Sequence, residues 1–190
     1  MMTSKQIDYV YTNSFGPKNN PSLYTTFIHT DDNKLYMIGD VDATKKLDKF
    51  TEVKGFPYMS RIEAIIYSKM YKHSKPEEAA NVLNELRKFI RNNFNGYELN
   101  NSFKMVHVKL FGHETYITLA SYEKIIVLKC RTYCNGDTWV THIKSINDTA
   151  ITRNLSQIQL HIDIQYNYNN SDGKKFGVLY ALSQGKLLLL

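Results

Sequence analysis

Ser74-Lys75-Pro76-Glu77-Glu78-Ala79-Ala80-Asn81-Val82-Leu83-Asn84-Glu85-Leu86-Arg87-Lys88-Phe89-Ile90, running on to Asn95-Gly96, divides this chain and decides how the rest is read. It reads as a helix. Ser74 offers a hydroxyl cap, Pro76 stands at an early helical position and Glu77 follows at the third. Ala79, Val82, Leu83, Leu86 and Ile90 fall on one face. Glu77 and Glu78 sit at the positive end of the helix dipole; Arg87, Lys88 and Arg91 sit at the negative end. Asn95-Gly96 supplies a left-handed stop.

Upstream, a first helix is expected from Ser60. Met59, Ile62, Ile65, Ile66 and Met70 form its apolar stripe, and Arg61, Ser68, Lys69 and Lys72 fall away from it. Ahead of that helix, Ser22–His29 and Lys34–Gly39 are β-rich and joined by the polar turn Thr30-Asp31-Asp32-Asn33. Val41–Lys54 reads as a charged connection. The stretch Gly16-Pro17-Lys18-Asn19-Asn20-Pro21-Ser22-Leu23-Tyr24 reads as a Pro/Gly loop entering the hairpin.

Downstream of Gly96 the pattern turns to strands: Lys104–Leu110, Thr115–Ser121, Lys124–Arg131, Thr138–Ile143, Ile158–Tyr166, Phe176–Leu182 and Lys186–Leu190. Asn135-Gly136-Asp137 and Ser171-Asp172-Gly173 are expected hairpin turns. His107, Lys109, His161, Asp163 and Gln165 alternate with Val106, Val108, Leu160, Ile162 and Ile164, giving each strand one wet and one buried face. All four prolines lie in the first part of the chain, which leaves the later ladders uninterrupted. The expected fold is therefore a single α+β domain over residues 1–190: two N-terminal strands, two helices, then an antiparallel β-meander. A subdivision into a helix-containing part, 1–96, and a β-rich part, 97–190, is the one internal boundary.

The chain has 190 residues, 43% hydrophobic and 22% charged, as a globular protein does. Its net charge of +6 permits attraction to nucleic acid, to an anionic membrane or to an acidic protein. Nothing approaches the roughly 18 apolar residues of a membrane-spanning helix, and the first residues carry no apolar signal core. Cys130 and Cys134 are expected reduced and partly buried. A reducing cytoplasm is the expected compartment. Richness in Asn, Lys, Ile and Tyr resembles the output of AT-rich genomes, including those of large DNA viruses, so a viral protein in a host cytoplasm is the matching expectation.

Chemistry-bearing patterns are sparse. Cys130 and Cys134 lack a second matched ligand pair, and with His107 and His113 they read as strand and core residues rather than a metal site. No phosphate-cradling glycine loop and no paired-carboxylate arrangement is present. His113-Glu114-Thr115 resembles one half of the paired His-x-Thr motif of two-histidine phosphoesterases, and a phosphodiesterase centred on His113 is the one enzymatic alternative. No catalytic residue, cofactor or metal is assigned.

Residues 9–73 resemble a double-stranded-RNA-binding domain of the poxvirus type. The resemblance rests on Gly16-Pro17-Lys18-Asn19, on Pro21 and Tyr24, on the strand Lys34–Ile38 and on Ser60-Arg61-Ile62-Glu63-Ala64-Ile65. It implies that Asn19 reaches a minor-groove 2′-hydroxyl, and that Arg61 with the helix N-terminus faces phosphates across the major groove. The expected function is non-enzymatic binding of double-stranded RNA or DNA by Lys18, Asn19, Arg61, Lys69 and Lys72. The alternative is a viral structural or host-protein-interaction protein. Four terminal leucines, Leu187–Leu190, are expected to be covered on both faces, inside the sheet or against another subunit or protein partner.

Overall fold

Strand-forming residues lie on both sides of the helical segment, and each set folds with its own neighbours. The computed structural model describes residues 5–16, 22–167 and 170–190, with side chains placed at all but 164–167 and 170–176. The backbone clusters into two compact units, Met1–Ser102 with Cys134–Thr138, and Phe103–Tyr133 with Trp139–Leu190.

In the first unit, β1 (Ile7–Phe15), β2 (Leu23–Thr30), β3 (Lys34–Asp40) and β4 (Lys46–Glu52) make a four-stranded sheet in chain order. The two strands expected from the sequence are β2 and β3. The other two are additions. The expected connection 41–54 contains β4, whose Tyr36↔Glu52 and Gly39↔Leu47 pairings are separated by a register shift. Gly39 is required where it stands: its φ is +101°, and a Cβ there would lie 2.5 Å from the Tyr24 carbonyl oxygen.

α1 (Arg61–Met70) starts where expected. Ser60 accepts from the Glu63 amide at 3.3 Å, and the Glu63 carboxylate accepts from the Ser60 amide at 3.1 Å, a closed capping box. Ile62, Ile66 and Met70 are buried, as the stripe requires. Ser68 is buried as well, against expectation, because the side of α1 that carries it packs on β1.

α2 (Glu78–Asn93) starts later than its sequence indicates. Ser74 caps nothing: Lys72 and Lys75 form an isolated bridge, the Lys75 amide donates to the Lys72 carbonyl, and the Glu78 amide to that of Lys75. Those turns use up the Ser74–Glu77 segment before the helix begins. The apolar face itself is as read, with Ala79, Val82, Leu83, Leu86 and Ile90 buried.

The second unit is built from β5 (Met105–Phe111), β6 (Glu114–Ala120), β7 (Ile125–Thr132), β8 (Thr138–Ile146), the short helix α3 (Thr149–Thr152), β9 (Leu155–Asn167), β10 (Asn170–Ser183) and β11 (Lys186–Leu189). One sheet runs β5-β6-β7-β8 and the other β11-β10-β9. Tyr116, Ile125 and Val127 of the first meet Ile158, Leu160, Ile162, Leu179 and Ala181 of the second in a shared core. The residues Ser171-Asp172-Gly173, expected to turn, lie inside β10, and Asn167 of β9 pairs with Asn170 of β10. The clean alternation expected of β5 is absent. Val106, His107, Val108 and Lys109 are all half-buried, and every residue of Thr115–Ala120 on neighbouring β6 is buried.

Candidate functional site

Three of the five residues expected to contact nucleic acid are described; Lys18 and Asn19 lie outside the described residues. Arg61 is exposed at the first position of α1. Lys69 lies eight residues on, about 12 Å along the axis at 1.5 Å per residue. Its ammonium stands over the Tyr11 ring, 5.6 Å from the centroid. Lys72 is bound to the buried Glu78 carboxylate at 2.7 Å. The geometry thus separates Arg61 from Lys69 and commits two of the three cations to contacts within the fold.

The first unit instead holds a set of buried polar groups that tie β1 and β2 to α1 and its flanks. Asn13 Nδ2 donates to the Ser68 and Tyr71 carbonyls at 2.9 and 3.0 Å. His29 is fully buried, with Nε2 2.6 Å from the Met59 carbonyl and Nδ1 2.5 Å from Asp8 Oδ1. A carbonyl only accepts, so Nε2 carries a proton. His73 is 2% exposed, its Nε2 2.6 Å from the Thr25 hydroxyl. That hydroxyl donates to the Asp40 carbonyl, so it accepts from Nε2–H, and the buried Nδ1 of His73 is left without a partner. Burial lowers the pKa of this ring, with Asp40 opposing. α1 and α2 are joined by Glu63 and Arg87, whose guanidinium also donates to the Tyr58 carbonyl at 3.2 Å and lies over Phe56.

In the second unit, His113 is exposed at the β5–β6 turn and lines none of the cavities described below. Two other histidines do share a cavity. A cleft of about 300 Å³ between the β5 and β9 edges is lined by His107, Lys109, Gln159, Leu160, His161 and Tyr180. The Leu160 amide donates to His107 Nδ1 at 3.2 Å, which leaves Nε2 as the ring's donor. Beside it, a groove of about 340 Å³ runs along Gln157, Gln159, Tyr180, Leu182 and Leu187. A third cavity, about 240 Å³, opens between the two sheets and carries Lys144 at an otherwise apolar wall of Tyr116, Val127, Leu160 and Leu179.

β11 pairs with β10 from Tyr180↔Leu189 to Ser183↔Lys186. Leu188 and Leu190 pack against the core, while Leu187 and Leu189 are 64% and 67% exposed. The leucines do form a terminal strand, but its own chain covers only one of the two faces, so cover inside the sheet is not what the second face has. Cys130 is buried and Cys134 exposed, both free, so only the first matches the expected burial. Burial pushes the Cys130 thiol up to about 12. Among the described residues no group of three His, Cys, Asp or Glu could hold a metal ion, and no helix is long and apolar enough to cross a membrane.

No protein-family model, curated protein or solved structure matches this chain. The buried Asn13, His29 and His73 carried no sequence signal that separates them from surface polar residues. The alternation in the sequence places Lys109 and His161 on polar faces of their strands. What joined them was the packing of β5 on β9.

Proposed function

We propose that this is a non-enzymatic binding protein that self-associates through the C-terminal hairpin β10–β11. The observation that carries this reading is the pair of leucines on an edge strand, Leu187 and Leu189, exposed by 64% and 67%. On the same outer face Leu182 stands across from Leu187, and Tyr180 across from Leu189. Among the described residues β11 pairs only with β10, so its outer edge offers unpaired backbone groups to another strand. An antiparallel pair of two β11 strands centred on Leu188 would set Leu187 of each copy opposite Leu189 of the other. Such a surface is complementary to itself, as a two-fold interface requires. Sedimentation equilibrium tests the reading. The full chain should be dimeric at tens of micromolar, and Leu187→Lys with Leu189→Lys should be monomeric with an unchanged melting temperature. A wild-type chain that stays monomeric over that range removes the proposal.

A second reading, binding of double-stranded RNA or DNA, is favoured by Arg61, which is exposed at the start of α1 and makes no ion pair among the described residues. Positive charge is also in excess over residues 103–190, with ten Lys and Arg against six Asp and Glu, whereas residues 1–102 have fourteen against twelve. Duplex affinity should then fall with salt, with a log–log slope of about 0.9 per phosphate neutralised. Arg61→Glu should flatten that slope, and no duplex binding at low salt rules the reading out.

A further inference from the structure

The cleft between β5 and β9 collects hydrogen-bond donors from three strands. His107 and Lys109 are two apart on β5 and project to one side; Gln159 and His161 do the same on β9. Tyr180 stands on β10 directly across from Gln159 in the register. Lys109, Gln159, His161 and Tyr180 make no side-chain hydrogen bond, ion pair or ring contact among the described residues, although Lys109 is half-buried. His107 is already oriented: its Nδ1 accepts the Leu160 amide, so Nε2–H is its donor. No carboxylate lines the cleft. The nearest acid on β9, Asp163, is one step farther along the same face and has a partner of its own. Glu114 on β6 accepts from the Tyr116 hydroxyl at 2.8 Å.

A half-buried lysine with Gln159, His161 and Tyr180 beside it, all without side-chain partners among the described residues, and no carboxylate in the lining make a site for an anion. Donors reaching in from β5, β9 and β10 outnumber the two oxygens of a carboxylate and match the several oxygens of a phosphoryl group. The volume, about 300 Å³, stands at the lower end of small-molecule pockets, which begin near roughly 300 Å³. We propose that this cleft binds the phosphoryl group of a small phosphate monoester, with Lys109 as the charge partner and Gln159, His161 and Tyr180 as orienting donors. The site shares Gln159 and Tyr180 with the outer groove beside Leu187, whereas Lys109 and His161 line the cleft alone, so binding is read on those two and below the protein concentration at which the chain associates.

Amide and side-chain NMR of the full chain decides the matter, titrated with inorganic phosphate, adenosine 5′-monophosphate and, as a control, adenosine. Phosphate and the monophosphate should shift the signals of Lys109 and His161 saturably, and adenosine should not. Lys109→Met should weaken monophosphate binding by about tenfold, the loss of one charge-assisted contact. His161→Ala, at an exposed position, should weaken it severalfold with the melting temperature unchanged; it carries the test alone if Lys109→Met does not fold. Shifts with adenosine alone, absence of shifts with either phosphate, or affinity indifferent to His161→Ala would overturn the assignment.

Discussion

Asn13 shows how a single side chain can decide where an element sits. Its amide spans two carbonyls at the end of α1, those of Ser68 and Tyr71, from the inner face of an edge strand. Replacing it with Leu strands both buried acceptors, at about 1–3 kcal/mol; urea denaturation should show a loss of that size, and no loss would mean that water replaces the amide. His73 makes a pH-dependent contribution. Its ring is buried neutral with Nδ1 unpartnered, so the folded pKa lies below the ordinary one. The unfolded chain therefore takes up a proton at a higher pH than the folded protein does. The stability tied to the neutral ring is complete above roughly pH 6.5 and is lost as pH falls below that value towards the folded pKa. The melting temperature should drop between pH 7 and pH 5, and His73→Gln, which keeps a donor for Thr25 but does not titrate, should flatten that drop. Cys130, buried with its thiol raised to about 12, should resist alkylation at pH 8 in the native state while Cys134 reacts. Labelling of both thiols at equal rates would contradict the burial of Cys130.

At the scale of elements, α1 and α2 contrast two kinds of sequence signal. Ser60 and Glu63 close a capping box that is local, made within four residues, and therefore legible from spacing alone. Ser60→Ala should cost about 0.5–2 kcal/mol of stability, measurable by denaturant titration. Glu63→Ala should cost more than Ser60→Ala, because it also leaves the Arg87 guanidinium without its carboxylate partner, though less than the roughly 3–5 kcal/mol of a fully buried pair, since the Arg87 side chain is 30% exposed. If the two losses are equal, the Arg87 contact contributes nothing. Ser74-Lys75-Pro76-Glu77 carries the same kind of signal, yet it forms turns. The neighbouring His73 side chain is drawn in to Thr25, a contact 48 residues away in sequence that no local pattern encodes. The two missed strands fail for a related reason. β4 reads Lys-Leu-Asp-Lys-Phe-Thr-Glu, and only Leu47 and Thr51 turn even half inward, so an edge strand looked like a charged loop. β1 has the Ile, Tyr, Val and Thr of a strand but faces α1 with Tyr9, Tyr11 and Asn13, so its buried side is polar. By contrast, β5 to β11 were legible because runs of β-branched and apolar residues mark them, Gly112, Gly136 and Gly185 stand in three of the connections, and no proline interrupts them.

Over the whole molecule, the antiparallel ladders of the second unit and the two helices could be read from periodicity, whereas the cleft could be read only as polar faces on separate strands, because it exists only where two edge strands from different sheets meet. The C-terminal strand is the clearest case of both. Four consecutive leucines identified a strand, but alternation allows only one face of it to meet the core of the second unit. Leu188 and Leu190 take that face, and Leu187 and Leu189 are left in water. Substitutions should separate accordingly, even though all four residues are chemically identical. Leu188→Ala removes contacts with a packed core and should lower stability by about 2 kcal/mol, the low end for a core leucine because this one is only half-buried. Leu187→Lys with Leu189→Lys leaves that core untouched and should change monomer stability by less than about 0.5 kcal/mol. Urea unfolding at protein concentrations below the onset of association isolates the monomer term. At higher concentration the double lysine variant should fall behind the wild type, since only the wild type gains stability from mass action. Equal losses for the inward and outward leucines in the dilute experiment would mean that the outer face of β10–β11 is covered by its own chain, and self-association through it would then have no surface to use.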